Sequence, residues 1–248
     1  MSKIKISSIK KDSLVDVIGN VSFVIWTTGC NFRCPWCQNG DIVRGKGKWV
    51  SVENLIKEIE EAKKYIDFVH FTGGEPCLQG DALKIILDRV RDFGIKGSVN
   101  TNGYFPNVIR KLTLDHIAID FKAPKEKYEA VIGRKLPDAF SRLIESLHIA
   151  FSEVPFTEIR TTYVPKLLQP EDVLSIATIL REIFGEYEGR IIYVLQQFVP
   201  SETLLSPEFK KVKSPSRSFL ENLAKKVKNR LPNKFEIYIR GKFGVKRI

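Results

Sequence analysis

The sequence predicts an α/β protein built as a partial, TIM-like (β/α)6 barrel with a basic C-terminal extension. Six short apolar, β-branched runs alternate with segments of helical periodicity. Such alternation favours parallel strands, because they need crossover connections. The 248 residues suffice for one α/β domain but leave little chain for an eightfold barrel. A doubly wound sheet shares the pattern, and in both folds the carboxyl ends of the strands form the site.

The elements follow one another with short connections. The predicted strands are residues 21–27, 68–72, 96–101, 116–121, 158–164 and 190–198. The predicted helices are residues 52–65, 82–93, 107–112, 139–151 and 171–184. Ser51 is a suitable N-cap for the first helix, and Pro170 marks the start of the last one.

The chain is predicted to divide into the barrel, residues 1–200, and the basic extension, residues 201–248, packed on the same domain. Residues 201–218 are rich in Pro, Ser and Lys and predict a connector. A basic helix at 218–230 and an edge strand at 235–240 are expected to close the chain.

Positive charge is concentrated near the C-terminus. Residues 191–248 hold 13 Lys and Arg against 4 Asp and Glu, a net charge of +9, whereas the first 190 residues carry only +2. This segment is either a solvated basic face or a surface that docks an acidic protein or a nucleic acid. Its residues match no nucleic-acid module, so a nucleic-acid partner is not favoured. No apolar run of 18 residues and no apolar signal core occur, which predicts a cytoplasmic protein without a membrane partner.

The most specific motif is Cys30-x3-Cys34-x2-Cys37, directly after the first strand, which uses three of only four cysteines. A single zinc ion would need a fourth ligand, and no second Cys-x2-Cys knuckle exists. Three thiolates can bind three irons of a cubane cluster and leave one iron open, whereas a ferredoxin uses four cysteines. A redox dithiol of Cys34 and Cys37 is the alternative, but it does not explain the third cysteine.

A second motif, Gly73-Gly74-Glu75, ends the second predicted strand. Two glycines allow the backbone to approach a small ligand closely. The turn is expected to lie on the same rim as the cysteine loop, which distinguishes it from an ordinary strand-end turn.

These motifs, followed by Asn-Thr-Asn-Gly at 100–103 and Ile-Asp-Phe-Lys at 119–122, occur in the order seen in radical S-adenosylmethionine (SAM) activating enzymes. Over about residues 13–200 the chain resembles the anaerobic ribonucleoside-triphosphate reductase activating branch, a relative of pyruvate formate-lyase activating enzyme. The resemblance implies a [4Fe–4S] cluster that reductively cleaves SAM to a 5′-deoxyadenosyl radical. It also implies two partners, a glycyl radical enzyme such as that reductase and a reductant such as ferredoxin or flavodoxin.

The resemblance also assigns residues to the cofactors. The cluster is expected on Cys30, Cys34 and Cys37, and the adenine against Trp36, for which core packing is the alternative. The expected contacts of the SAM amino group are Gly73, Gly74 and Glu75.

The remaining expected contacts follow later strands. Lys122, paired with Asp120, is expected to bind the SAM carboxylate, and a plain salt bridge on the rim is the alternative. Arg160 is expected either to face the cofactor or to form a structural ion pair. Gln197 lies where the relative has a histidine near the ribose. Asn100 replaces an aspartate of a monovalent-cation site, so no cation is predicted.

Two other functions remain open at this point. One is a radical SAM enzyme that acts on a small molecule or RNA, and the other is a simple iron–sulfur electron carrier. The three-cysteine count and the Lys122 and Gly-Gly-Glu features disfavour the carrier. Cys77 is expected to be a small buried hydrophobe.

Overall fold

A single ten-stranded sheet forms the frame of the computed structural model, which describes residues 2–248. The strands are β1 (Lys3–Ser13), β2 (Ser22–Thr27), β3 (Lys48–Ser51), β4 (Phe68–Gly73), β5 (Lys96–Thr101), β6 (His116–Asp120), β7 (Phe156–Tyr163), β8 (Arg190–Gln197), β9 (Glu236–Gly241) and β10 (Gly244–Arg247). Their order across the sheet is β10-β9-β8-β7-β6-β5-β4-β2-β1-β3.

The central strands are all parallel. β2 pairs with β4, and β4 through β9 then pair in sequence. β1 and β3 add an antiparallel edge beside β2, and β10 adds the opposite antiparallel edge. The sheet ends at β3 and β10 without closing, which confirms the predicted partial barrel.

The helices connect the parallel strands. They are α1 (Gly40–Val43), α2 (Val52–Ala62), α3 (Gly80–Arg91), α4 (Pro106–Ile109), α5 (Tyr128–Ile132), α6 (Ala139–Glu153), α7 (Pro170–Ile183) and α8 (Arg217–Lys228). α2 shows why the periodicity was informative, because its buried residues are Val52, Leu55, Ile56 and Ile59, one stripe of the helix.

The predicted helix starts are confirmed in position. Pro170 occupies the first turn of α7, where the Asp172 carboxylate accepts a hydrogen bond from the Gln169 backbone N–H at 2.6 Å. Ser51 is the N-cap residue of α2, but its side chain makes no capping hydrogen bond there.

The N-terminal strand β1 was not predicted from the sequence. Only Ile4, Ile6 and Ser13 of its eleven residues are buried, and lysines occupy most of its solvent side. It pairs with β2 on one side and with the short strand β3 on the other. The lysines on its solvent side interrupt the apolar run that marks the other strands, so the sequence pattern does not reveal this strand.

The C-terminal strand prediction was wrong in one respect. The segment expected as an edge is β9, which pairs in parallel with β8 and antiparallel with β10, so β10 is the edge. The expected connector contains a 3-10 helix, Pro207–Lys211, and α8 packs beside α7 and β9. The division at residue 200 stays a prediction.

The two ends of the barrel differ in character. Toward the amino ends of the strands lies a buried apolar group formed by Val17, Phe68, Phe156, Ile192 and Val194. At the carboxyl ends, the strands lead into polar and glycine-rich loops. The site described next lies at this carboxyl rim.

Candidate active site at the carboxyl rim of the barrel

A cavity of about 270 Å³ opens among the carboxyl ends of the parallel strands. Ten of the eleven residues predicted for the site line it: Cys30, Cys34, Trp36, Cys37, Gly73, Gly74, Asp120, Lys122, Arg160 and Gln197. The sequence therefore identified residues that the fold brings together from five different loops or strand ends.

The cysteine loop, residues 29–40, is fixed by backbone hydrogen bonds to three separate parts of the chain. Their donors and acceptors are Gly29 N–H to Ile42 O (2.8 Å), Arg33 N–H to Ile132 O (2.9 Å), Leu205 N–H to Cys37 O (2.9 Å) and Ser206 N–H to Pro35 O (2.9 Å). The loop has little regular structure of its own, so its shape depends on these neighbours.

The Gly73-Gly74 turn packs directly on the cysteine loop. The Glu75 N–H donates to the Gly29 carbonyl oxygen at 2.8 Å. A Cβ atom at Gly74 would lie only 1.9 Å from that oxygen, and Gly73 has a φ of +114°, which favours glycine. Gly74 is therefore required by the contact between the two loops and Gly73 by its backbone conformation, in addition to any contact with a ligand.

The three loop cysteines are free thiols in an environment that disfavours a lone thiolate. Burial, reinforced by the Glu75 carboxylate, raises the pKa of Cys30 to about 11. Burial also raises the pKa of Cys34 to about 12, although the Lys122 ammonium opposes it, and it raises the pKa of Cys37. Metal binding must therefore displace protons from these thiols and supply the positive charge that they lack.

The arrangement of the thiols distinguishes between kinds of metal site. Among residues 2–248, no three His, Cys, Asp or Glu side chains surround one point closely enough for a single metal ion. A cubane cluster needs a wider set, because each thiolate binds a different iron. The donor set fits such a cluster.

Lys122 and Asp120 form an ion pair beside the thiols. The Lys122 Nζ lies 2.8 Å from Asp120 Oδ2, and it lies 5.4 Å from the centre of the Trp36 ring. Burial alone would lower the pKa of Lys122, but the charge of the Asp120 carboxylate and its hydrogen bond to the ammonium raise that pKa above its ordinary value. Lys122 therefore stays protonated and brings a buried positive charge to the cavity wall.

Trp36 is oriented by its own hydrogen bond. Its Nε1–H donates to the Val131 carbonyl oxygen at 3.1 Å, at the end of α5. The ring is half-buried and lines the cavity. Its plane is therefore fixed where a flat ligand could stack on it.

Arg160 lines the cavity and also forms the structural ion pair that was its alternative role. Its Nε donates to Glu158 Oε1 at 2.6 Å, and its Nη2 donates to the Asp16 carbonyl oxygen at 2.7 Å. Arg240 of β9 reaches the same Glu158 oxygen at 3.1 Å. β9 thus contributes a second arginine to the Glu158 carboxylate that positions Arg160.

Gln197 uses both ends of its amide for the C-terminal segment. Its Nε2 donates to the Pro215 carbonyl oxygen at 2.8 Å, and its Oε1 accepts from the Lys242 backbone N–H at 2.9 Å. Gln197 therefore borders the cavity and ties the segment after residue 200 to the rim.

Glu75 is the predicted site residue that does not line the cavity. Its fully buried carboxylate accepts hydrogen bonds from residues of its own turn and of the end of β5. The donors are the Cys77 N–H (3.0 Å), the Thr101 Oγ1–H (2.8 Å) and the Asn102 N–H (2.7 Å). Its carboxylate therefore braces the rim from below the cavity.

Several further polar residues of the cavity wall were not predicted as cofactor contacts: Thr72, Asn100, Asn102, Thr162 and Gln196. Each stands at or just after the carboxyl end of a parallel strand, and that position was the signal available in the sequence. The buried Asn100 Oδ1 has no hydrogen-bond partner among residues 2–248, so a ligand or water is needed to satisfy it.

Comparison with known proteins decides the family. A model of the radical SAM superfamily matches residues 24–185, more than half of the chain. The chain belongs to the radical SAM superfamily. It is therefore an enzyme, and its cofactors are a [4Fe–4S] cluster and SAM, as the sequence predicted.

Among its relatives, a Methanocaldococcus jannaschii protein named provisionally as a glycyl-radical enzyme activating enzyme is 30% identical, covering 98% of this chain and 100% of its own length. A pyruvate formate-lyase-activating enzyme of Clostridium pasteurianum is 29% identical, over 72% of this chain and 77% of its own. A 7-carboxy-7-deazaguanine synthase of Hyperthermus butylicus is 33% identical but covers only 48% of this radical SAM enzyme and 49% of its own length.

Solved structures show the same fold. Streptococcus suis SuiB bound to S-adenosylmethionine superposes with a TM-score of 0.66 at 15% identity, covering 88% of this chain and 50% of SuiB. No helix in residues 2–248 of the enzyme is both long and apolar enough to span a membrane.

The contact between the two loops can be tested by adding one methyl group. Gly74→Ala should lower the free energy of unfolding by roughly 1–3 kcal/mol, because its Cβ would overlap the Gly29 carbonyl oxygen. Thermal unfolding of the iron-free protein measures it. The control is Gly185→Ala, where a Cβ meets no atom within 4 Å. Equal melting temperatures for the two variants would contradict this account of the turn.

Proposed function

We propose that this radical SAM enzyme installs a glycyl radical on a partner enzyme, with an anaerobic ribonucleoside-triphosphate reductase as the leading candidate. The observation that carries the chemistry is the joining of three thiols and the Asp120–Lys122 pair in one cavity. The full-length similarity to an activating enzyme supports the glycyl radical partner. Reduced ferredoxin or flavodoxin is the proposed electron donor.

In this proposal Cys30, Cys34 and Cys37 hold the cluster and leave one iron for SAM. When bound, the reduced cluster and SAM together supply a 5′-deoxyadenosyl radical that can remove a hydrogen atom from carbon. The work of the chain is to bind, orient and shield these groups.

We assign the groups of SAM to residues of the cavity wall by their chemistry. The Lys122 ammonium is proposed to bind the SAM carboxylate, and the fixed Trp36 ring to stack on the adenine. Gly73 and Gly74 expose backbone groups suited to the amino group, while Glu75 supports their turn from below. Arg160 and Gln197 are proposed to border the ribose side.

The iron content of cysteine variants tests the ligand assignment. Anaerobically reconstituted protein should hold about four irons. Cys34→Ala should lose the cluster because it removes a ligand. Cys77→Ala is the matched control and should keep all of the iron, since Cys77 is buried against Thr101 and does not line the cavity. Loss of iron in the Cys77 variant would instead indicate a four-cysteine electron carrier.

Loss of one ammonium tests the proposed SAM contact. Lys122→Met removes the ammonium but retains an unbranched side chain of similar length. It should weaken SAM binding by about 1.5–3 kcal/mol, the contribution of a charge-assisted hydrogen bond. Lys125→Met, three residues on in an exposed 3-10 helix, should bind SAM as the wild type does. Equilibrium binding to the reconstituted proteins measures both. Equal affinities for the two variants would remove Lys122 from the SAM site.

The partner is proposed to approach the mouth of the cavity across the basic C-terminal residues that border it, which we call the basic rim and which include Lys213 and Lys242. Arg217, Lys246 and Arg247 are paired with Glu221 or Glu236. In residues 2–248, the side chains of Lys213 and Lys242 are exposed and form no ion pair. Lys213 lies two residues before Pro215, whose carbonyl oxygen binds Gln197, and the backbone N–H of Lys242 binds the same side chain. Two uncompensated charges therefore stand beside the mouth of the cavity, where they can attract an acidic surface.

Lys225 and Lys226 provide a matched control on the same segment. They are also exposed and outside any ion pair of the described chain, but they lie in the second half of α8. α8 runs from the rim toward the amino end of β9, and its first residue, Arg217, follows Pro215 at the rim. At about 1.5 Å per residue, Lys225 and Lys226 lie roughly 12 Å farther along the helix axis, away from the rim. That separation exceeds the Debye length of about 10 Å at 0.1 M salt.

A charge reversal at each place tests the docking and the proposed function together. The assay combines the enzyme, SAM, a reductant and an anaerobic ribonucleoside-triphosphate reductase of the glycyl radical class, and measures the protein radical by electron paramagnetic resonance. The rim variant Lys213→Glu with Lys242→Glu should form the radical more slowly, and added salt should narrow the defect. Lys225→Glu with Lys226→Glu should match the wild type, and both variants should cleave SAM normally.

The outcomes separate two questions. Equal rates for the two variants would reject rim docking and leave the activating function standing. No radical on the partner from wild-type enzyme that cleaves SAM would reject the activating function. The similarity to 7-carboxy-7-deazaguanine synthases then favours a small-molecule substrate.

A further inference from the structure

The residue that follows β5, Asn102, lies between the Gly-Gly-Glu turn and the cysteine loop. It is nearly fully buried, at 5% exposure, and it lines the cavity. The proposed function leaves it without a role. Its hydrogen bonds determine both where it stands and which way its amide points.

The backbone of Asn102 is anchored to Glu75. Its N–H donates to Glu75 Oε2 at 2.7 Å, while the preceding Thr101 hydroxyl donates to Glu75 Oε1 at 2.8 Å. Both carboxylate oxygens are thereby engaged in the buried interior, where leaving either partner unpaired is costly. Asn102 therefore cannot move without breaking this brace.

The side-chain amide has one orientation consistent with its neighbours. Its Oδ1 accepts from the Tyr104 backbone N–H at 3.0 Å, the i to i+2 contact of an Asx-turn. Its Nδ2 then faces the cysteine loop, where it donates to Asn31 Oδ1 at 2.8 Å and lies 3.9 Å from Cys30 Sγ. The reverse orientation would place two acceptors against each other at Asn31.

We propose that Asn102 is a positioning residue whose Nδ2–H group is aimed at the Cys30 sulfur and raises the reduction potential of the cluster. The inference rests on the proposed ligation by Cys30, Cys34 and Cys37. The Phe32 N–H, 3.4 Å from the same sulfur, is a second donor that a side-chain substitution does not remove.

The direction of the effect follows from charge. Reduction adds one electron to the cluster and increases the negative charge on its sulfurs, so an N–H donor stabilises the reduced form more than the oxidised form. The buried Glu75 carboxylate acts in the opposite direction, since negative charge near the cluster disfavours reduction. Asn102 thus offsets, at Cys30, part of the effect of the carboxylate that anchors it.

The experiment is a redox titration of the reconstituted cluster without SAM, followed by electron paramagnetic resonance. Asn102→Ala removes the donor and should shift the potential negative by about 59 mV, a tenfold change in a one-electron equilibrium. Asn102→Asp keeps the acceptor for Tyr104 but replaces the donor with a negative charge, so it should shift the potential further in the same direction. Asn100→Ala is the matched control.

Asn100 is well suited to that purpose. It is the same residue type, two positions earlier in β5, and lines the same cavity, but its Nδ2 donates to Thr72 Oγ1 at 3.4 Å and it makes no hydrogen bond to a cysteine sulfur. Its removal should leave the potential unchanged.

Wild-type potentials in both Asn102 variants, or an equal shift in Asn100→Ala, would overturn the inference. So would folded Asn102 variants that hold no iron, because Asn102 would then support the assembly of the cluster and not its potential. The measurement uses no SAM and no partner, so a failed activation assay leaves its result intact.

Discussion

The close backbone contact between the Gly-Gly-Glu turn and the cysteine loop is the constraint on which the site depends. The hydrogen bond from the Glu75 N–H to the Gly29 carbonyl oxygen, 2.8 Å long, ties the end of β4 to the loop after β2. Neighbouring parallel strands bring these two loops side by side, and the absence of a side chain at Gly74 lets them touch. The carboxylate of the same glutamate then fixes the end of β5. One turn therefore sets the relative positions of three strand ends.

Much of this arrangement could be predicted from the sequence. The six predicted strands and the cysteine motif follow from patterns that depend on nearby residues, namely apolar periodicity and ligand spacing. Parallel strands place their carboxyl ends on one rim. The order of the motifs along the chain was therefore enough to predict that Cys30 and Lys122 lie in one cavity.

Other features depend on contacts between distant residues and left no local pattern. The solvent-facing lysines of β1 interrupt its apolar pattern, so the strand was not predicted. β9 is internal to the sheet only because β10 pairs with its outer side. Glu75 was predicted with Gly73 and Gly74 as a contact of the SAM amino group, and its motif does not reveal that the Thr101 hydroxyl and the Asn102 N–H bind both of its carboxylate oxygens. The assigned roles of the site residues stay predictions.

Residues 203–206, which follow the last strand of the predicted barrel, hold the cysteine loop in place, and this has a consequence for the synthesis of the enzyme. Thr203 donates a hydrogen bond to the Gln38 carbonyl oxygen across 165 residues of sequence, and Leu205 and Ser206 bind the same loop. During synthesis the cysteines thus leave the ribosome long before the segment that holds them in place. A nascent chain exposes three unsupported thiols, and iron delivered at that stage meets an incomplete site. The complete loop can therefore hold a cluster only after residues 203–206 have been synthesised and have folded onto it.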